Sequence, residues 1–247
     1  MKIAVIGDIH GLETWRHITK DIDELDKIIF IGDYVDSYHA INQLQRQNLL
    51  DIIQFKDDNP DKVVLLLGNH DMHYVNDNLE CSGFSWNKYK LFHSIYRDNL
   101  DKFKMIHREG DFIFSHAGLS SKYLKYYGFD SENIDDAIDY VNSRLNINLY
   151  AFAFHPGDGS WVGNHPLQGP TWIRPDALVD ANKDSWLSDF VQVFGHTQSL
   201  ESVKYANYTD WMYVCTDVLW DGKYVEIDGS DITYVDLFSS KSNTSSN

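Results

Sequence analysis

The chain opens Lys2-Ile3-Ala4-Val5-Ile6-Gly7-Asp8-Ile9-His10-Gly11, an unbroken apolar run that turns into Gly-Asp. Apolar residues on consecutive positions suit a strand buried on both faces, and glycine permits a sharp turn at its end. The pattern returns twice: Ile28 to Ile31 runs into Gly32-Asp33, and Val63 to Leu67 into Gly68-Asn69. Between these two, Ala40 to Phe55 carries helical apolar spacing. Short apolar runs alternating with a longer amphipathic stretch predict β-α units and a mixed α/β fold. Open α/β sheets hold ligands beyond the carboxyl ends of their strands, so the three Gly-Asp/Asn corners are expected to share one crevice.

Further along, Asp111 to Ser115 and Phe190 to Phe194 are strand-like runs that end at His116 and at Gly195-His196. Tyr213 to Thr216, Tyr224 to Ile227 and Ile232 to Leu237 are expected to form a late antiparallel group, with hairpin turns at Asp221-Gly222 and Asp228-Gly229. The stretch from about 154 to 175, rich in Gly, Pro and Trp, is expected to be an irregular loop or cap over the crevice. Residues 239–247 are nearly all Ser, Asn, Lys and Thr and are expected to be a disordered tail. With 247 residues, 43% of them hydrophobic, the chain can bury a substantial core, so residues 1–238 are expected to form a single domain.

A formal net charge of -16 gives a surface field that repels phosphate backbones, which disfavours nucleic-acid binding through a basic face. Part of the acidity is expected where bound cations neutralise it. Cys81 and Cys215 lie far apart with no CxxC spacing, so neither a disulfide framework nor a zinc ribbon is indicated. No segment approaches the roughly 20 apolar residues of a membrane span, and Ile3 to Ile6 is too short for a signal-peptide core. A soluble, cytoplasmic protein without a membrane partner is expected.

Five strand ends deliver Asp8 with His10, Asp33, Asn69 with His70, His116, and His196. These are oxygen and imidazole donors, a set suited to manganese, iron or zinc rather than to a thiolate structural site. A lone Gly-Asp after a strand is most often only a turn. Five such fragments in order, each closing an apolar run, make coincidence a poor explanation.

These blocks carry a resemblance. Gly7-Asp8-Ile9-His10-Gly11, Gly32-Asp33-Tyr34-Val35-Asp36, Gly68-Asn69-His70-Asp71, Ser115-His116-Ala117-Gly118 and Gly195-His196-Thr197 resemble the five signature blocks of calcineurin-like metallophosphoesterases. The second, fourth and fifth are most similar to the phosphoprotein phosphatase branch, which includes bacterial and phage serine/threonine phosphatases and symmetrical diadenosine tetraphosphatases. The resemblance implies a four-layer α/β/β/α sandwich with a dinuclear metal site at the strand ends. It implies two divalent cations, manganese first, with iron, zinc or nickel as alternatives. Asp8 and His10 would hold one, Asp33 would bridge both, and Asn69, His116 and His196 would complete the second. Cations roughly 3.5–4 Å apart share a solvent molecule that ionises near neutral pH and attacks phosphorus as hydroxide. His70 resembles the proton donor to the leaving oxygen and Asp36 the carboxylate that orients it, since a His held by a carboxylate stays protonated to higher pH.

Two departures stand out. The branch usually continues its second block with Arg-Gly, where this chain has Ser37-Tyr38, and a hydroxyl cannot replace a bidentate guanidinium on phosphate. Arg174, in Gly169-Pro170-Thr171-Trp172-Ile173-Arg174, is the candidate substrate-phosphate ligand in its stead; a surface Arg packed on Trp172 is the alternative. The third block ends in Asp71 rather than Glu, and Asp71 is expected to orient backbone or cap a helix without a catalytic role. His39 and His73 are expected to be solvated loop residues, while Tyr38, Trp161 and Trp172 are expected to close packing on a cap or to stack on a base. The expected function is hydrolysis of phosphomonoesters, with phosphoserine or phosphothreonine proteins as candidate substrates. The alternatives are a nucleotide hydrolase acting on a dinucleoside polyphosphate or phosphodiester, and a non-catalytic scaffold.

Overall fold

A computed structural model describes residues 1–155, 163–198 and 213–238. Trp161, residues 156–162 of the expected cap and the expected tail, 239–247, lie outside the described residues. The repeating strand-helix pattern of the first half folds as the sequence predicts. Strands β1 (Lys2–Ile6), β2 (Lys27–Phe30), β3 (Val63–Leu66) and β4 (Phe103–Lys104) pair in parallel, in that spatial order. The helical spacing after the second strand becomes α2 (Asn42–Asp58), which buries Leu49, Ile52 and Ile53 on one face. A one-turn helix, α1 (Trp15–Ile18), precedes it, and α3 (Asn69–Val75) and α4 (Trp86–Asp98) follow β3. Ser85 caps α4 by accepting from the Lys88 amide at 3.4 Å.

The second sheet orders β5 (Ile106–Glu109), β6 (Phe112–Ser115), β7 (Val191–Phe194) and β8 (Tyr213–Cys215), with β5 antiparallel and the rest parallel. Between β6 and β7 the chain adds α5 (Ser121–Tyr126), α6 (Ile134–Ile147) and α7 (Pro175–Asn182). The hairpin of β9 (Lys223–Asp228) and β10 (Asp231–Asp236) then returns to the first sheet beside β1.

Here the structure corrects one expectation. Tyr213 to Thr216 does not join the late antiparallel group; it runs parallel to β7 in the other sheet. Asp221-Gly222 is therefore not a hairpin turn. It ends a 3-10 turn, Leu219–Asp221, on Gly222 at φ 70°, and the chain crosses from one sheet to the other there. Asp228-Gly229 is the hairpin turn expected.

Alternation along the strands fixes the layers. Ile3, Val5, Ile29, Ile31, Val64 and Leu66 of the first sheet pack on Phe114, Val193 and Val214 of the second. The intervening Ala4, Ile6, Ile28, Phe30, Val63 and Leu65 face outward into the largest core cluster, with Leu49, Ile52 and Phe92 of the helices. On the far side, Phe194, Tyr213 and Cys215 pack on Ala177 and Leu178 of α7. The result is mixed α/β with two stacked sheets and helices outside both. Among the described residues no helix is long and apolar enough to cross a membrane.

Candidate active site

All five predicted strand ends meet. Asp8 and His10 follow β1, Asp33 follows β2, Asn69 and His70 open α3 after β3, His116 follows β6, and His196 follows β7. A cavity of about 480 Å³ is lined by Asp8, His10, Asp33, Asn69, His70, Arg174 and His196, among others. His116 lies behind it, fully buried. The backbone is bent hard to achieve this. Among the described residues the only non-glycine residues with positive φ are His10 (39°), Asp33 (52°), Asp36 (65°) and His196 (60°), a conformation that costs free energy and concentrates at functional sites.

Two glycines make room for the carboxylates. A Cβ on Gly68 would lie 2.1 Å from Asp33 Oδ1, and one on Gly195 would lie 2.0 Å from Asp8 Oδ1. Asp71 sets the floor. Its carboxylate accepts from the amides of Gly68 (2.8 Å), Asp33 (2.7 Å) and Tyr34 (3.0 Å) and from the Tyr96 hydroxyl (2.5 Å). It thus supplies half of a capping box for α3 and clamps two strand ends together, the orienting role the sequence predicts.

The hydrogen bonds behind the imidazoles settle which nitrogen faces inward. His116 Nδ1 donates to the Ile31 carbonyl (3.1 Å) and His10 Nδ1 to the Val35 carbonyl (2.8 Å). Each ring therefore turns Nε2 toward Asp33 Oδ2, at 3.4 Å from His116 and 3.6 Å from His10. Asn69 Oδ1 lies 2.9 Å from His116 Nε2. His196 Nε2 is buried without a hydrogen-bond partner. Carboxylate, amide and imidazole ligand atoms thus converge around Asp33, an arrangement that a cation satisfies and that the carbonyl-bound second nitrogens of His10 and His116 support. One ligand atom each from Asp8, His10 and Asp33 falls within 4.8 Å of the others.

The electrostatics agree. Burial raises the Asp8 carboxyl, and the nearby carboxylate of Asp217 raises it further. Burial would raise Asp33 as well, but His116, His70 and His10 pull it well below the usual carboxylate range. Burial, reinforced by His116 and Arg174, holds His196 neutral, the form that can ligate a cation.

His70 stands apart from the acceptor cluster. Its amide donates to Asp33 Oδ1 at 2.9 Å, and its Nδ1 lies 3.0 Å from Asp36 Oδ2, leaving Nε2 for the cavity. Burial works against the imidazolium, yet Asp33 and Asp36 outweigh it and lift His70 to about 9. Asp36 also takes contacts from Lys88 Nζ (2.9 Å) and the Tyr74 hydroxyl (2.7 Å). Although burial opposes its ionisation, these donors and His70 keep it far below the usual range.

Arg174, directly before α7, sends Nη1 to the His196 carbonyl (2.7 Å) and Thr197 Oγ1 (3.0 Å) at the edge of the cavity. Ser37 is spent on its own loop, where Oγ accepts from the amides of His39 and Ala40. Of the aromatic candidates, Trp172 lines the cavity and meets the His196 ring edge-on at 5.7 Å.

One residue differs from expectation and two were missed. His73 is not a solvated loop residue: it is fully buried on α3, with Nε2 2.8 Å from Asp36 Oδ2. His70, His73 and Cys81 also bring one donor atom each within 4.8 Å. His39 is exposed on its loop as expected, and it stacks on Trp220, with ring centroids 5.0 Å apart. Lys88 carries no sequence signal. Asp217 does, because it follows the β8 run as Asp8 and Asp33 follow theirs; it lines the cavity, and burial together with Asp33 pushes it up to about 7.

The comparisons agree with this geometry. The calcineurin-like phosphoesterase family profile matches residues 1–229. Among solved structures, a cold-active protein-tyrosine phosphatase of a psychrophilic Shewanella species shares the fold at TM-score 0.64 and 16% identity, over 96% of this chain and 78% of that one. A Saccharomyces cerevisiae protein serine/threonine phosphatase matches at TM-score 0.50 and 17% identity, over 95% of this chain and 79% of that one. No curated protein sequence matches the chain. With the family profile spanning nearly its whole length and carboxylate and imidazole donors gathered at the strand ends, the chain belongs to the calcineurin-like phosphoesterases and is a metal-dependent phosphoesterase.

Proposed function

We propose that the chain hydrolyses phosphomonoesters, with Asp8, His10 and Asp33 holding one divalent cation and Asp33, Asn69, His116 and His196 a second. The observation that carries this reading is the convergence of His10, His116 and Asn69 ligand atoms on Asp33, with a carboxylate-held imidazolium, His70, at its rim. Manganese suits such a mixed oxygen and imidazole set. When bound, the cations neutralise phosphate charge and make water a nucleophile at neutral pH. His70 then delivers the proton on Nε2 to the leaving oxygen, Asp36 holding Nδ1 so that the ring stays aimed and charged. Arg174 is the phosphate ligand: its guanidinium borders the cavity, whereas the Ser37 hydroxyl is engaged in its own loop. Water adds oxygen to phosphorus as the bond to the bridging oxygen breaks, and an alcohol and inorganic phosphate leave.

The test is hydrolysis of para-nitrophenyl phosphate by chelator-stripped protein, restored separately with manganese, nickel, iron(II), zinc and magnesium, with metal content measured alongside. Restored turnover, and its absence in Asp33→Asn, is the expected result. Turnover that survives stripping, or an Asp33→Asn protein as active as the parent, would sink the reading.

A further inference from the structure

A second cavity, of about 350 Å³, adjoins the first and shares Asp8, His10, His70, Gln198 and Asp217 with it. Its remaining walls are largely apolar or aromatic: Leu12, Tyr38, His39 and Trp220. Trp220 is 56% exposed and Tyr38 81% exposed, large aromatic surface left in solvent beside a reaction centre. The His39 ring is stacked on Trp220 at an interplanar angle of 29°, which braces the indole as a platform. No Lys or Arg is among its described lining residues; its ionisable walls are the carboxylates of Asp8 and Asp217 and three histidines. Ser37, where the family resemblance leads one to expect Arg, is among its lining residues and adds no charge there.

We propose that this cavity receives an aromatic ring on the leaving group, so that the preferred substrate is a monoester with a single phosphate on an aryl-bearing alcohol or phenol. The inference rests on the phosphomonoesterase reading above and adds its substrate class. His70 places the ring on the leaving-group side: it lines both cavities, and the oxygen that takes its proton is the one joined to the ring-bearing group. Planar rings gain from stacking beyond their buried area. A second phosphate on the leaving group would meet the Asp217 carboxylate, and among the described walls there is no Lys or Arg to bind it, which selects against dinucleoside polyphosphates. The step balances: water contributes its oxygen to phosphate, and the ring-bearing group leaves as the neutral alcohol or phenol with the proton from His70.

Trp220→Ala, with Trp220→Phe as the conservative partner, tests the platform in the manganese-loaded protein. Steady-state kinetics are compared on phosphotyrosine and a nucleoside 5′-monophosphate, and on phosphoserine and glycerol phosphate. The expected result is a KM raised about tenfold by Trp220→Ala on the ring-bearing substrates, unchanged on the alkyl pair, and restored by Trp220→Phe. A loss confined to phosphotyrosine or to the nucleotide upholds the inference and identifies the ring as phenolic or a base. Equal changes on aryl and alkyl substrates, or none on either, overturn it. If no monoester is turned over, the phosphomonoesterase reading fails by itself, and calorimetric binding of benzylphosphonate against ethylphosphonate still decides the platform. A benzyl preference lost in Trp220→Ala supports it, and the absence of any preference overturns it.

Discussion

Asp36 and His70 leave different strand ends, 34 positions apart, yet Asp36 Oδ2 stands 3.0 Å from His70 Nδ1, and Lys88 approaches the other carboxylate oxygen at 2.9 Å. The pair fixes the imidazole's orientation and charge together. With Nδ1 directed at Asp36, the proton for the leaving oxygen sits on Nε2, and the negative carboxylate resists its loss.

The pH consequence has a definite sign. His70 is raised from 6.5 to about 9, so the proton donor is present through neutrality and is lost as pH rises through its folded value. Cations on Asp33 weaken one contribution to that rise and leave Asp36 as the main one. On an alkyl phosphate, kcat should therefore show an alkaline limb that Asp36→Asn moves to lower pH. His70→Asn should abolish the limb and slow the reaction about 10²–10⁴-fold, more on alkyl than on nitrophenyl esters. A limb that stays in place in Asp36→Asn would show that Asp36 does not act on His70.

Much of this centre was legible in the sequence because each donor closes an apolar run, and five such ends in order are hard to explain as turns alone. Asp217 also follows an apolar run, but no Gly precedes it, and three residues of strand followed by Asp221-Gly222 imitate a hairpin arm. What moves β8 to the second sheet is its parallel pairing with β7, a tertiary fact. Lys88 and Tyr74 were illegible for a related reason. Both sit on helices at ordinary amphipathic positions, and only the packing of α3 and α4 over the strand ends carries their side chains to Asp36. His73 misled because a histidine two residues past a motif is usually solvated, whereas here α3 turns it inward.

Asp71 should be a residue whose loss is felt in both stability and cation binding. An amide in its place keeps one acceptor and turns donors toward the amides that Asp71 now receives. Leaving one buried donor unmet costs about 1–3 kcal/mol, so Asp71→Asn should lower the melting temperature by roughly 5 °C. It should also weaken cation binding, since the Asp33 backbone loses its anchor. Calorimetric titration with manganese beside a thermal melt checks both, and a variant that binds as the parent does would confine Asp71 to the fold.

Gly195 offers a cleaner separation of site from scaffold. Its missing side chain leaves room for Asp8, whose Oδ1 would lie 2.0 Å from an added Cβ. That oxygen ends a short side chain, so Gly195→Ala should displace the carboxylate rather than unfold the sheet. The expected outcome is a nearly parental melt in chelator with manganese affinity down at least about tenfold, the equivalent of 1.4 kcal/mol. Parental affinity would mean that Asp8 is not held where the structure has it.

Asp217 gives a prediction for the metal-free protein. Burial first, and the Asp33 carboxylate second, raise it from 3.8 to about 7. For a group whose folded value lies above its unfolded one, the stabilising contribution is complete below about pH 4 and lost as pH rises through 7. Chelator-stripped protein should accordingly melt lower at pH 8 than at pH 5, and Asp217→Asn, which cannot ionise, should recover a few degrees at pH 8 and none near pH 4. Cations reverse the logic, because a charged carboxylate beside them is favourable rather than crowded. In manganese the difference between variant and parent should shrink or change sign. If Asp217→Asn melted with the parent at every pH without metal, the carboxylates of Asp217, Asp8 and Asp33 would not share one uncompensated field, and the electrostatic case for cations between them would fall with that result.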